Sequence, residues 1–90
     1  MPTARGGLAG AALGGHLYTF GGEGNQQDPF GIFPQTEVYD PIADTWSALP
    51  DLPTPRHGMG AAAVGNRIYV PGGGTIAGFA ASAAHEALQP

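Results

Sequence analysis

Slid against itself by 51 residues, the chain matches its own sequence, and no other property narrows its choice of fold so strongly. Residues 1 to 24, MPTARGGLAGAALGGHLYTFGGEG, lie without gaps over residues 52 to 75, LPTPRHGMGAAAVGNRIYVPGGGT, with identities at 10 of 24 positions. These include Pro2/Pro53, Thr3/Thr54, Arg5/Arg56, Tyr18/Tyr69, Gly21/Gly72 and Gly22/Gly73. Further along, TEVYDP (36 to 41) lies over HEALQP (85 to 90) once the intervening loop is shortened by two residues. A period of about 50 belongs to architectures in which one supersecondary unit cannot bury its own hydrophobic face and relies on its neighbours.

Within each copy the local signals are those of β-structure. Gly14-Gly15 and Gly65-Asn66 are two-residue connections able to take φ > 0, each flanked by short apolar runs, which is the signature of a hairpin. The pattern predicts strands over 8–13, 16–20, 35–39 and 45–48 in the first copy, and over 58–64, 67–71 and 85–88 in the second. Asp40-Pro41 ends the third of these. A helix over 79–88 competes with the last strand, because alanine favours helix. Gly58-Met59-Gly60-Ala61-Ala62-Ala63 also fits the G-x-G-x-x-G/A turn that seats a dinucleotide pyrophosphate. That reading needs a strand before the glycines and a helix after them, whereas Pro53-Thr54-Pro55 precedes them and Ile68-Tyr69-Val70 soon follows.

Arg5 ahead of the first strand, small residues along it, Tyr18 ahead of Gly21-Gly22, Val38-Tyr39-Asp40-Pro41, and Thr45-Trp46 leading to Leu49-Pro50 together resemble a kelch repeat, the four-stranded blade of a β-propeller. The second copy, with Arg56, Tyr69 and Gly72-Gly73, resembles it as far as the third strand. It then departs: Ala77 to Ala84 is rich in alanine, Leu88-Gln89 stands where Tyr39-Asp40 stood, and no Trp-bearing strand follows. The resemblance implies an all-β fold of antiparallel four-stranded blades, an incomplete β-propeller fragment. Residues 1–50 would form a first blade of four strands, and 51–90 a second, incomplete blade of three. It also implies structural roles. Gly21, Gly22, Gly72 and Gly73 would let the chain leave the second strand sharply. Tyr18, Tyr39, Tyr69 and Trp46 would offer flat surfaces for the next blade to cover. Asp40 and Asp44 would satisfy backbone N–H groups of a turn.

Propellers close with about four to eight blades, so further blades are expected, either from a longer parent chain or by self-association through unpaired strand edges. Met1, in the place of Leu52, looks like an internal residue of a longer parent. An end after the third strand of the second copy fits a natural C-terminus whose missing strand lies upstream.

The chain has no lysine and three arginines, Arg5, Arg56 and Arg67. It therefore lacks the positive field that neutralises phosphates, and no nucleic-acid partner is expected. The absence of cysteine rules out disulfides and thiolate metal sites and leaves the compartment open. No segment approaches the apolar length of a membrane span, and the small-residue start, MPTARGGLAGAALGG, lacks the bulky apolar stretch of a signal peptide, so no membrane partner is expected. Glycine, alanine and arginine in preference to lysine suggest a GC-rich coding source, with a bacterial one expected.

Antiparallel parity places the loop 23–34 and the connection 50–57 at one end of the blades and the hairpin turns at the other. Long loops on a repeat scaffold are common contact surfaces. Arg5, Asn25, Gln27, Asp28, Phe30, Phe33, Arg56 and His57 are accordingly the candidate binding face. In the alternative reading, Arg5 and Arg56 only pair with blade carboxylates, and Phe30 and Phe33 only cover a blade edge. The expected function is a non-catalytic module that binds protein or carbohydrate through these loops. Its alternative is the C-terminal piece of a kelch-type carbohydrate enzyme, resembling galactose oxidase or a sugar-acid epimerase and inactive by itself. A copper-radical site needs a cysteine that this chain lacks. His16, His57 and His85 are far apart in sequence, and neither Ser47 nor Ser82 lies in a nucleophile motif. No catalytic, cofactor or metal site is assigned.

Overall fold

In a computed structural model of the chain, which describes residues 1–78 and 82–90, Gly14 and Gly15 both take positive φ, 59° and 80°. These are the torsions of a type I′ turn, whose twist matches that of the strands it joins. They connect β1 (Ala9–Leu13) to β2 (His16–Phe20). In the second copy Gly65 has φ 61° while Asn66 does not turn positive, which is the pattern of a type II′ turn. It connects β5 (Ala62–Val64) to β6 (Arg67–Pro71). Between these hairpins come β3 (Thr36–Asp40) and β4 (Thr45–Leu49), and β7 (His85–Leu88) closes the order.

The strands form two antiparallel sheets, one of four in the order β1-β2-β3-β4 and one of three in the order β5-β6-β7. Residues 85–88 are strand, not helix; the part of the competing helix over 79–81 lies outside the described residues. The strand expected over 58–64 starts only at Ala62. Gly58 has φ 66°, outside the β region, and its amide donates across to the Gly7 carbonyl (2.6 Å) instead of joining a ladder.

Alternation builds the core. Ile68 and Val70 point inward from β6, and Tyr18 and Phe20 do so from β2, opposite the small Ala11 and Ala9 of β1. With Leu52 and Met59 they form one buried cluster, and β1 packs directly against β5 and β6. The sheets meet backbone to backbone. Gly21 (φ 60°) lies so close to the second sheet that a Cβ there would overlap the Arg56 carbonyl oxygen and the Met59 methyl group, and Gly22 donates its N–H to that carbonyl at 2.8 Å. Gly72, the equivalent of Gly21, has φ 74° but nothing among the described residues within 4 Å of its would-be Cβ. The described residues contain no helix long and apolar enough to cross a membrane, which says nothing about β-barrels.

Candidate functional site

The two repeats place Arg5 and Arg56 equivalently, and each guanidinium is used within its own repeat. Arg5 donates to the carbonyls of Thr3 (3.3 Å), Gly21 (2.7 Å) and Gln35 (2.9 Å), to Thr19 Oγ1 (2.9 Å) and to Glu37 Oε1 (2.9 Å). Arg56 donates to the carbonyls of Thr54 (3.1 Å), Val70 (2.8 Å), Gly72 (2.7 Å) and Ala84 (3.0 Å) and to Glu86 Oε1 (2.6 Å). The other carboxylate oxygen accepts from Thr3 Oγ1 in the first repeat and from the Thr54 N–H in the second, both at 2.8 Å. Both arginine side chains have 0% exposure. Burial pushes the Arg5 guanidinium down from its ordinary value, and Glu37 opposes the shift. The sequence grouped Arg5 and Arg56 with the binding face, with pairing to blade carboxylates as the alternative; the structure places both guanidiniums on Glu37, Glu86 and the backbone carbonyls of their own repeats. Sequence reasoning missed Glu37 and Glu86 as the partners, although the alignment shifted by two residues already set them at one position.

The loop between β2 and β3 is shaped by its own polar side chains. Asp28 Oδ2 accepts from the N–H groups of Phe30 (3.1 Å) and Ile32 (3.0 Å). Asn25 Oδ1 accepts from the Gln27 N–H (3.1 Å), and its Nδ2 donates to the Ile32 carbonyl (3.0 Å). Residues of the second repeat then clamp the loop. The Ala77 N–H donates to the Phe30 carbonyl (2.8 Å), the Gly78 N–H to Glu23 Oε2 (2.9 Å), and the Leu52 N–H to the Pro34 carbonyl (2.9 Å). His57, another binding-face candidate, is 8% exposed. Its Nε2 lies 2.7 Å from the Ile76 carbonyl, which can only accept, so Nε2 is the donor of this hydrogen bond, while Nδ1 lies 3.6 Å from Glu23 Oε2.

Between the loop and the second repeat runs a cleft of about 560 Å³. Asp28, Phe30, Ile32 and Pro34 form one wall; Pro53, Thr54 and Pro55 form the floor, and Thr75 and Ile76 close it. Phe30 is 58% exposed and Ile76 49% exposed, so two large apolar side chains meet water at one mouth. Asn25, Gln27 and Phe33 face elsewhere, lining a second hollow of about 620 Å³ with Gln26, Asp28 and Gln35. There Gln35 Oε1 is buried without a partner among the described residues. The loop candidates thus divide between two concavities, with Asp28 at both. Ile76 was missed because only the fold brings it to the loop, whereas Pro53 and Pro55 belong to the connection that strand parity already set at the same end.

The aromatic side chains take different places: Tyr18 shares the core cluster with Ile68 and Val70 of the second sheet, while Tyr39 and Trp46 lie against each other. Trp46 pairs across strands with Tyr39 of its own sheet, with ring centroids 5.1 Å apart and planes at 38°. Tyr39 donates its hydroxyl to Asp44 Oδ1 (2.8 Å), and this hydrogen bond holds the phenol above its ordinary pKa. Asp40 Oδ1 accepts from the N–H groups of Ile42 (3.0 Å) and Ala43 (3.3 Å) in the turn. Tyr18 is buried in the core, and Tyr69 lies beside His85 at 5.8 Å. Among the described residues no group of three or more His, Cys, Asp or Glu could hold a metal ion.

Four antiparallel strands joined by a type I′ hairpin, a long loop and a tight turn, followed by a three-stranded sheet with the same buried arginine, define a blade-type repeat protein. The family model for the Kelch motif matches residues 4–53, and the chain belongs to the kelch family. It is 39% identical over 90 residues to Kelch-like protein terF of Aspergillus terreus, covering 100% of this chain and 20% of that one. It is 37% identical over 73 residues to an F-box/kelch-repeat protein of Arabidopsis thaliana, covering 81% of this chain and 19% of the other. With the human Kelch domain-containing protein 8B it shares 40% identity over 62 residues, which is 69% of this chain and 17% of that protein. The chain thus spans about a fifth of the length of these curated relatives. They are fungal, plant and human, and lend no support to a bacterial source. The four-stranded sheet lies within the matched residues, the all-strand antiparallel fold is consistent with propeller blades, and kelch repeats generally mediate protein interactions.

Proposed function

We propose that the chain is a non-catalytic interaction module in which two blades, residues 1–50 and 51–90, present the cleft between them to a protein partner. The observation that carries this reading is the pairing of Phe30 and Ile76, half-exposed from different blades, over one concavity of about 560 Å³. Exposed apolar side chains gathered at one place on a soluble protein mark contact sites, and aromatic anchors carry much of the energy of such contacts. The open space over Gly72, where Gly21 carries the neighbouring blade, supports a further blade there, from a longer chain or from a second copy.

A carbohydrate ligand is the second reading. It is favoured by the second hollow, where the amides of Gln26, Gln27 and Gln35 share the lining with Phe33 and offer paired donors and acceptors. Binding of the whole chain to arrays of peptides and of neutral glycans separates the two. Capture of a defined set of peptides, lost in Phe30→Asp, supports the protein reading. Capture of glycans alone, indifferent to Phe30→Asp and lost in Phe33→Ala, replaces it with the second.

A further inference from the structure

We infer that the occupant of the cleft is a short extended peptide segment carrying one large apolar side chain flanked by lysine or arginine. This rests on the protein-interaction reading above and adds the chemistry of the partner. Three observations lead to it, concerning shape, hydrogen-bonding capacity and charge.

The cleft is of a size that binds organic groups, and its walls are side chains of Phe30, Ile32 and Ile76 with three prolines, surfaces that recognise an apolar group by shape. Its backbone offers few donors. Pro34, Pro53 and Pro55 have no N–H, the Phe30 and Ile32 N–H groups are spent on Asp28 Oδ2, and that of Thr54 is spent on Glu86, which leaves the N–H groups of Thr75 and Ile76 and the hydroxyls of Thr54 and Thr75 without a partner among the described residues. An anionic ligand would meet these few neutral donors beside the Asp28 carboxylate, which repels it.

The charge around the cleft has one sign. Arg5 and Arg56 are buried and paired. Arg67, the remaining arginine, starts β6 beside the 65–66 turn, at the end of the sheet opposite the loops. Against these stand the Asp28 carboxylate in the cleft lining and the exposed Asp51, which lines an adjoining hollow with Pro53; Glu23 already accepts from the Gly78 N–H and lies 3.6 Å from His57 Nδ1. Asp28 Oδ1 accepts no hydrogen bond among the described residues, which leaves it for a donor brought by the ligand. Cationic side chains supply a donor for Asp28 Oδ1 and the opposite charge, and an apolar anchor fills the volume.

The test uses the whole ¹⁵N-labelled chain and three synthetic nonapeptides. One has a central leucine in an alanine background with two lysines on each side, one has glutamates in place of the lysines, and one keeps the lysines but replaces the leucine with glycine. The expected result is that the first peptide shifts the amide resonances of Ile32, Ile76 and Ala77, binds more weakly as salt rises, and binds about tenfold more weakly to Phe30→Ala. The exposed Asp51→Asn should weaken it a few-fold, and the glycine peptide should bind at least tenfold more weakly than the leucine peptide. Equal or tighter binding of the glutamate peptide at the same amides would overturn the inference while leaving a peptide-binding cleft in place. Failure of all three to shift those amides would also overturn it. If a neutral oligosaccharide then shifted Phe33 and Gln35 instead, the protein-interaction reading would fall as well.

Discussion

Replacing Gly21 and Gly72 with alanine, one at a time, makes the same chemical change at equivalent places in two repeats, and the structure assigns the two changes different costs. Both glycines hold a left-handed φ, 60° and 74°. For alanine that conformation costs about 1–2 kcal/mol, partly offset by about 0.4–1 kcal/mol from the stiffer unfolded chain. For Gly72→Ala this is the whole effect, because nothing among the described residues lies within 4 Å of the new methyl, and the net loss is about 1 kcal/mol or less. For Gly21→Ala the methyl meets the Arg56 carbonyl, which is backbone and cannot rotate aside. The second blade has to move, which adds about 1–3 kcal/mol of overpacking and puts at risk the Gly22 N–H bond to the same carbonyl, worth about 1 kcal/mol. The expected difference is about 2–4 kcal/mol, against roughly 5–13 kcal/mol for a domain of this length. Urea unfolding followed by far-UV circular dichroism measures both variants. Losses agreeing within about 0.5 kcal/mol, or a larger loss for Gly72→Ala, would refute the packing of one blade's double glycine under the next blade's arginine.

Other perturbations reach different parts of the structure. Glu86→Ala removes the partner of a guanidinium with 0% exposure and should cost about 3–5 kcal/mol by the same urea assay, with Glu37→Ala similar in the first repeat. Ile68→Ala, at 0% exposure in the core, should cost about 2–5 kcal/mol, whereas Ile42→Ala, 97% exposed in a turn, should stay within about 0.5 kcal/mol. The Tyr39 phenol is held above its ordinary pKa by Asp44, so its hydrogen bond is present below pH about 10 and is lost as pH rises through the folded value. The absorbance titration at alkaline pH, taken as wild type minus Tyr39→Phe, should show a midpoint above about 10, and a midpoint at or below it would deny the hydrogen bond.

Much of the fold was legible because hairpin turns and alternation are local. Gly14-Gly15 and Gly65-Asn66 fixed where β1, β2, β5 and β6 meet, and Asp40-Pro41 marked the end of β3 to within a residue. The start of β5 was not legible, since a glycine-alanine run can extend a strand or leave it. What decides is the Gly58 amide, which is drawn to Gly7 in the other blade. The arginines show the same limit at the site. Their spacing announced a repeated role, but whether a guanidinium faces a ligand or the interior depends on Glu37 and Glu86, which lie about 30 residues away. Phe30 was visible as an aromatic residue in a long loop. Its partner Ile76 was not, because the two meet only after the blades dock and Ala77 hydrogen-bonds to the loop.

The shared cleft exists only if the blades dock as described, and native-state hydrogen exchange at the amides of Gly22, Gly58 and Ala77 tests this most directly. These three N–H groups donate across the junction, to the carbonyls of Arg56, Gly7 and Phe30. The expected result is that Gly22 exchanges as slowly as the ladder amides of β2 and β6, with Gly58 and Ala77 protected to a lesser degree at their exposed sites. Exchange of all three at the rates of an open chain, while the strands within each sheet stay protected, would show two blades folded but undocked and would remove the cleft.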